Sequence, residues 1–127
     1  MRTIAVSGAL LGLMAVVLAA LGSHVIDVQG QPALRHIWQT ASLINLFHSA
    51  ALIGLAALAQ HFQSRWLTWG AGLLIVGTLL FCGSLYLHVV VETATTALAP
   101  LGGLLLIAGW LLVTLGLLRS GRINPAG

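Results

Sequence analysis

Charged side chains are scarce in this sequence. Of its 127 residues only 6% are charged, whereas 59% are hydrophobic, and the mean hydropathy is +1.06. A soluble domain carries about 25% charged residues because water must solvate its surface. The composition therefore excludes an ordinary soluble domain and indicates a protein whose surface faces lipid.

Lysine is absent and cysteine occurs once. The five arginines are too few for the basic patch that nucleic acid requires, so we expect no nucleic-acid partner. A single cysteine, Cys82, excludes an intrachain disulfide and a cysteine-based zinc site, and its apolar surroundings identify it as a small hydrophobic residue. The sequence also contains no Walker loop, GxSxG motif or Ser/His/Asp spacing. We therefore expect no catalytic residues, no cofactor and no enzymatic activity.

Polar segments divide the chain into four long apolar runs, at about residues 4–26, 38–60, 66–91 and 97–118. Each run reaches the roughly 20 residues that cross hydrocarbon as a helix, and lipid requires the backbone to be helical. The first run also resembles a signal peptide, but it exceeds the usual length of about 7–15 residues for a signal core. The sequence therefore predicts an all-α protein, with one membrane domain over residues 1–127 that forms a bundle of four transmembrane helices.

Arginines predict the orientation of this bundle. Four spans place both termini and the loop between the second and third spans on one side. Arg35 lies on the other side, together with Asp27 and Glu92. Because arginine is enriched in cytoplasmic loops, we expect both termini to lie in the cytoplasm. The arginines on the terminal side are Arg2, Arg65, Arg119 and Arg122.

Small residues recur at intervals of seven in the predicted spans, which is typical of one side of a helix in a left-handed bundle. Small side chains allow helix backbones to approach closely in lipid. One pair forms a GxxxG motif, which is a weak signal for dimerisation in so small-residue-rich a helix. The predicted packing residues are Gly8, Gly12, Ala15, Gly22, Gly70, Gly77, Gly102, Gly109 and Gly116.

His48 is the main candidate for function, because it lies about halfway through the second span. Asn45 lies one turn before it and Ser49 lies beside it. An ionisable residue inside a membrane is a functional hypothesis by default. The favoured interpretation is that these side chains form hydrogen bonds between helices. The alternative is a ligand, proton or metal site, to which Ser84 and Tyr86 of the third span contribute.

A second candidate site lies at the predicted outer end of the bundle. His24 and His88 end the first and third spans, and Asp27 and Glu92 lie in the adjoining loops. Imidazoles with carboxylates can bind zinc or copper. However, no HxxxH or HExxH spacing occurs, and such motifs carry the specificity of metal predictions. We therefore favour interfacial histidines over a metal site.

Several short segments show a resemblance to a known family. They are, in order, residues 8–12 (GALLG), 21–24 (LGSH), 38–41 (WQTA), 81–87 (FCGSLYL), 100–103 (PLGG) and 107–110 (IAGW). They resemble the YgdD-like family of small inner-membrane proteins over nearly the whole chain. The resemblance implies four transmembrane helices in a bacterial inner membrane and no particular reaction, because the family is classed as of unknown function. It directs attention to His24, Trp38, His48, Ser84, Tyr86, Pro100 and Trp110.

Two functions follow from these observations. The first is a non-enzymatic accessory subunit or assembly partner of a membrane complex, in contact with the lipid bilayer and with another membrane protein or a second copy of itself. Small loops, close-packing residues and the lack of a catalytic motif favour it. The alternative is a protein that binds or transports a small ligand, metal or ion at the polar site around His48.

Overall fold

A computed structural model describes residues 1–24, 31–62, 64–91 and 97–120. Within these residues lie four helices: α1 (Arg2–His24), α2 (Pro32–Leu58), α3 (Arg65–Val91) and α4 (Leu98–Arg119). Each is long and apolar enough to cross a membrane. The predicted all-α fold with four transmembrane helices is therefore confirmed.

The helices match the predicted spans closely except at the start of α2. This helix begins at Pro32 rather than Trp38, because proline is accommodated in the first helical turn, where its missing N–H is not needed. Its first turns carry Arg35 and His36, which are exposed. A helix can extend beyond the hydrocarbon, so the membrane boundaries themselves stay predictions. Residues 25 and 26 of the first predicted span lie outside the described residues.

Helices that are consecutive in the chain pack against each other. α1 and α2 form one antiparallel hairpin, α3 and α4 form another, and contact between α2 and α3 joins the two. α1 also touches α3 at a few positions. In the described part of the chain, the backbone of α4 approaches only that of α3. Side chains of α1 and α4 nevertheless belong to the same buried cluster, with Ile4 and Leu11 from α1 and Leu106 and Val113 from α4.

Glycine brings the two backbones of the α3–α4 hairpin together. A Cβ atom added at Gly70 would lie 3.0 Å from the Gly109 carbonyl oxygen, and one added at Gly109 would lie 3.1 Å from the Gly70 carbonyl oxygen. A Cβ added at Gly102 would overlap the backbone of Phe81. These positions leave no room for a side chain, so glycine sets the closeness of this hairpin.

The α1–α2 hairpin uses glycine on one helix only. A Cβ added at Gly8 would lie 2.9 Å from the Ser49 carbonyl oxygen, and one added at Gly12 would lie 3.1 Å from Ser49 Oγ. Near the other end, the Trp38 indole occupies the space beside Gly22, which a Cβ would overlap. The GxxxG motif of α1 is thus covered by α2 within the same chain.

Two groups of buried side chains fill the interior. The larger is aliphatic and includes Leu52 and Leu74, both fully buried. The smaller contains Trp38, Tyr86 and the free thiol of Cys82, which is also fully buried. Many other large apolar side chains are exposed. In a membrane protein this is expected, because lipid solvates the outer surface of the helices.

Candidate functional site

The polar side chains of α2 share its buried face. Ser42, Asn45 and His48 follow at intervals of three residues, and a helix with 3.6 residues per turn places such residues on one side. Asn45 is fully buried, His48 is 9% exposed and Ser42 is partly buried. The face therefore points towards the other helices and carries polar groups into a mainly apolar interior.

His48 joins α2 to α4 through one ring nitrogen and bonds within α2 through the other. Trp110 Nε1 donates a hydrogen bond of 3.2 Å to His48 Nε2, and His48 Nδ1 lies 2.8 Å from the Ile44 carbonyl oxygen. An indole N–H can only donate, so Nε2 must accept. We therefore assign the ring hydrogen to Nδ1, which donates to Ile44. The two rings lie 6.1 Å apart between centroids.

This bonding pattern bears on metal binding. Coordination requires a ring nitrogen with a free lone pair, whereas His48 Nε2 accepts from Trp110 and Nδ1 donates to Ile44. Within the described residues there is also no group of three or more His, Cys, Asp or Glu side chains that could hold a metal ion. The arrangement around His48 is suited to connecting helices.

A second hydrogen-bonded chain connects α1, α2 and α3. Tyr86 Oη donates to Ser42 Oγ over 3.1 Å, and Ser42 Oγ donates to the Trp38 carbonyl oxygen over 3.0 Å. Trp38 Nε1 in turn donates to the Leu18 carbonyl oxygen of α1 over 2.9 Å. The Trp38 and Tyr86 rings meet edge to face, with centroids 4.8 Å apart. α2 therefore makes a side-chain hydrogen bond to each of the other three helices.

Asn45 lies between these two sets of hydrogen bonds. Its side chain is near the Tyr86 hydroxyl, but neither its nitrogen nor its oxygen has a partner at hydrogen-bond geometry. Burying an amide without a partner costs roughly 1–3 kcal/mol by protein mutational data. The Asn45 amide is consequently the polar group in the described interior that a bound water or ligand atom would satisfy.

Ser49 and Ser84 lie apart from this cluster. Ser49 faces α1, where it packs against Gly12, and its hydroxyl donates to the Leu46 carbonyl oxygen over 2.7 Å. The Ser84 hydroxyl donates within its own helix, to the Phe81 carbonyl oxygen over 2.9 Å. Of the five predicted residues, the structure thus groups Asn45 with Tyr86 and places His48 one turn further along α2.

The candidate outer metal site is only partly described. His24 is exposed at the end of α1, and His88 is partly buried near the end of α3. Asp27 and Glu92 lie outside the described residues. The four-residue site therefore stays a prediction.

Comparison with known proteins identifies the family. The sequence matches the family described as "Protein of unknown function (DUF423)" over residues 18–103. The chain belongs to this family. It is 35% identical over 123 residues to the UPF0382 inner membrane protein YgdD of Escherichia coli strain K12, covering 95% of this chain and 93% of that protein. It is 30% identical over 119 residues to a UPF0382 membrane protein of Staphylococcus saprophyticus, covering 91% and 97%. No solved structure gives a significant match.

The resemblance to the YgdD-like family is therefore confirmed. The DUF423 match contains the whole of α2 and α3, and with them Asn45, His48 and Tyr86. It ends before Trp110, although Trp110 supplies the hydrogen bond from α4. The polar face of α2 thus lies inside the matched segment, and one of its partners lies beyond it.

Two residues of the site were not selected from polarity and depth alone. Ser42 could have been included, because it shares a face with Asn45 and His48. Trp110 was indicated only by the family resemblance. The available signal was its indole N–H, which prefers a hydrogen-bond partner when it lies within an apolar segment.

Proposed function

We propose that this DUF423 protein is a non-enzymatic subunit of the bacterial inner membrane that assembles with another helical membrane protein. Its relatives carry membrane-protein names without an enzymatic activity, and YgdD of E. coli is named an inner membrane protein. The arginine distribution supports an orientation with both termini in the cytoplasm. A fluorescent protein fused to the C-terminus, which matures only in the cytoplasm, is expected to fluoresce.

Uncovered glycines on the central helices carry this proposal. Most helix glycines in this chain meet a neighbouring helix, whereas a Cβ at Gly54, Gly72 or Gly83 would meet nothing within 4 Å. Glycine costs about 1 kcal/mol relative to alanine inside a helix. Small residues at the surface of a membrane helix allow another helix to pack closely. These glycines on α2 and α3 therefore suit contact with a further helix.

The polar interior supports a structural role as well. His48 and Tyr86 hydrogen-bond to α4 and α2 respectively, so their polar groups hold the helices in register. Nothing in these two interactions requires a reaction. Because these hydrogen bonds lie inside the bundle, the outer faces of the helices remain available for partners.

Native mass spectrometry of the protein, extracted gently from its own membrane at native expression, tests the proposal. We expect a reproducible assembly heavier than one chain. A different protein in that assembly identifies the accessory role and its partner, and a second copy of this chain identifies self-assembly. A lone chain, under conditions in which known membrane complexes survive, contradicts the proposal.

One matched pair of variants locates the contact. Gly83→Leu adds bulk at a position with no neighbour within 4 Å, so the fold should tolerate it while the assembly is lost. Ala9→Leu adds bulk at an exposed position on α1 and is expected to leave the assembly intact. Equal assembly in both variants places the contact away from Gly83.

Asn45 favours a second function, the binding of a small uncharged polar ligand inside the bundle. Its buried amide has a free donor and a free acceptor, and such a group gains most from a ligand with complementary groups. We expect the purified protein to carry a stoichiometric small mass that is lost in Asn45→Leu. If Asn45→Leu is instead more stable and the native protein carries no extra mass, this second function is wrong.

A further inference from the structure

A groove lies between α1 and α2 at the end where α1 stops and α2 starts. Its volume is about 550 Å³ and it is partly open. We call it the Arg35 groove. Its lining, among the described residues, comes from two helices and includes a cation: Ala19, Gly22 and Ser23 of α1, and Arg35, Trp38, Gln39, Ser42 and Leu43 of α2.

The polar atoms of the Arg35 groove favour an anion. Ser23 Oγ donates to the Ala19 carbonyl oxygen and Ser42 Oγ donates to that of Trp38, so both hydroxyl hydrogens are used. The donors that remain are the Arg35 guanidinium and the Gln39 amide, and both side chains are exposed. None of the lining residues that the structure describes is acidic. Guanidinium binds phosphate through two parallel hydrogen bonds.

Polarity changes along the groove in the direction of the membrane. Arg35 lies in the second turn of α2, and Leu43 follows eight residues later, which is about 12 Å along a helix. Beyond Leu43 the lipid-facing surface of α2 continues with Phe47, which is 70% exposed. The groove thus leads from a cationic mouth to an apolar surface. This gradient matches an amphiphile, which has a charged group for Arg35 and an apolar part for the surface at Leu43 and Phe47. A free anion has no apolar part to cover that surface.

We propose that the Arg35 groove binds a phospholipid of the leaflet that faces the α1–α2 loop. Arg35 and Gln39 hold the phosphodiester oxygens, and an acyl chain lies over Leu43 towards Phe47. Gly22 is essential to this shape, because it admits the Trp38 indole, which forms one wall of the groove. The proposal does not depend on the assembly role, since it rests on the lining and the charge of this groove.

The test is a lipid titration of the full-length protein in a mild detergent, read by native mass spectrometry with dioleoylphosphatidylglycerol as the probe. We expect one lipid to be retained per chain. Arg35→Gln should weaken its binding roughly tenfold, the usual effect of losing about 1.4 kcal/mol of a charge-assisted contact. Arg65→Gln removes an exposed arginine from the start of α3, at the opposite end of the bundle, and should leave binding unchanged.

A third variant tests the apolar part of the site. Ala19→Phe fills the groove without altering its charge, and we expect it to weaken lipid binding as well. Equal weakening by Arg35→Gln and Arg65→Gln would overturn the proposal, because it would indicate general attraction of lipid to arginine. Inorganic phosphate that binds with the same dependence on Arg35, while the lipid is not retained, would also overturn it and identify a free-anion site. The thermal stability of each variant in detergent verifies that it is folded.

Discussion

The two hairpins of this protein are held together in different ways. In α3–α4, glycines occur on both helices, and Gly70 and Gly109 face each other's backbone. In α1–α2, the glycines at the contact lie on α1 only, and they face a serine and a tryptophan of α2. The α1–α2 hairpin also has a side-chain hydrogen bond, from Trp38 to the Leu18 carbonyl oxygen.

The comparison shows two solutions to helix association in lipid. Where two glycines meet, backbones approach closely and van der Waals contact supplies the attraction. Where a glycine meets a large side chain, that side chain fills the space and can carry a polar group. The first solution gives a tight pair of helices, and the second leaves the Arg35 groove beside Trp38.

The largest expected effect is that of Gly102→Ala in the α3–α4 hairpin. The added Cβ overlaps the backbone of Phe81, which cannot move without separating the helices. We expect a loss of about 3 kcal/mol in the free energy of unfolding. Unfolding by SDS titration from mixed micelles measures it. Gly83→Ala is the control, because it has open space and should stabilise the protein by up to about 1 kcal/mol. Equal effects of the two variants would contradict the close-packing explanation.

Gly22→Ala in the α1–α2 hairpin should have a smaller effect. Its Cβ overlaps the Trp38 indole rather than a backbone, and a side chain can move to another position. We expect a loss of about 2 kcal/mol in the free energy of unfolding. Trp38→Phe in the same chain should recover part of this loss by making room. If the double variant loses as much free energy of unfolding as the two single variants together, the distinction between the hairpins is wrong.

Trp110→Phe should have the smallest effect of the three. It removes the hydrogen bond to His48 but keeps an aromatic ring, and such bonds between membrane helices contribute about 0.6 kcal/mol on average. Trp69→Phe provides the control, since Trp69 is 70% exposed. The same SDS titration measures both variants. If they cannot be distinguished, the link from α4 to α2 does not contribute to stability.

Much of the fold could be predicted because lipid limits the choices. Four long apolar runs with few charges can only be helices, and their lengths come directly from the positions of polar residues. The start of α2 was harder to predict from the sequence. Arg35 and His36 indicated a polar link, but Pro32 begins the helix there, and a helix can extend through polar residues outside the hydrocarbon.

The site was harder to predict, because depth in the membrane does not give direction around a helix. Ser84 and Tyr86 lie at similar depth and were grouped for that reason. Residues two apart differ by about 200° around a helix, and the Ser84 hydroxyl bonds within α3 while that of Tyr86 reaches α2. For Trp110, the acceptor lies on α2, 62 residues earlier in the chain. A single sequence does not reveal which of several helices supplies such a partner.

The hydrogen bonds of α2 also have a consequence for biogenesis. Of the four helices, α2 has the lowest mean hydropathy, and its partners lie on one helix made before it and two made after it. When α2 leaves the ribosome, only α1 can offer it an acceptor. Ser42 and His48 remain without their partners from α3 and α4 until synthesis is nearly complete. A chain truncated after Leu58 should therefore be held at the insertion machinery or degraded, whereas the intact chain enters the bilayer.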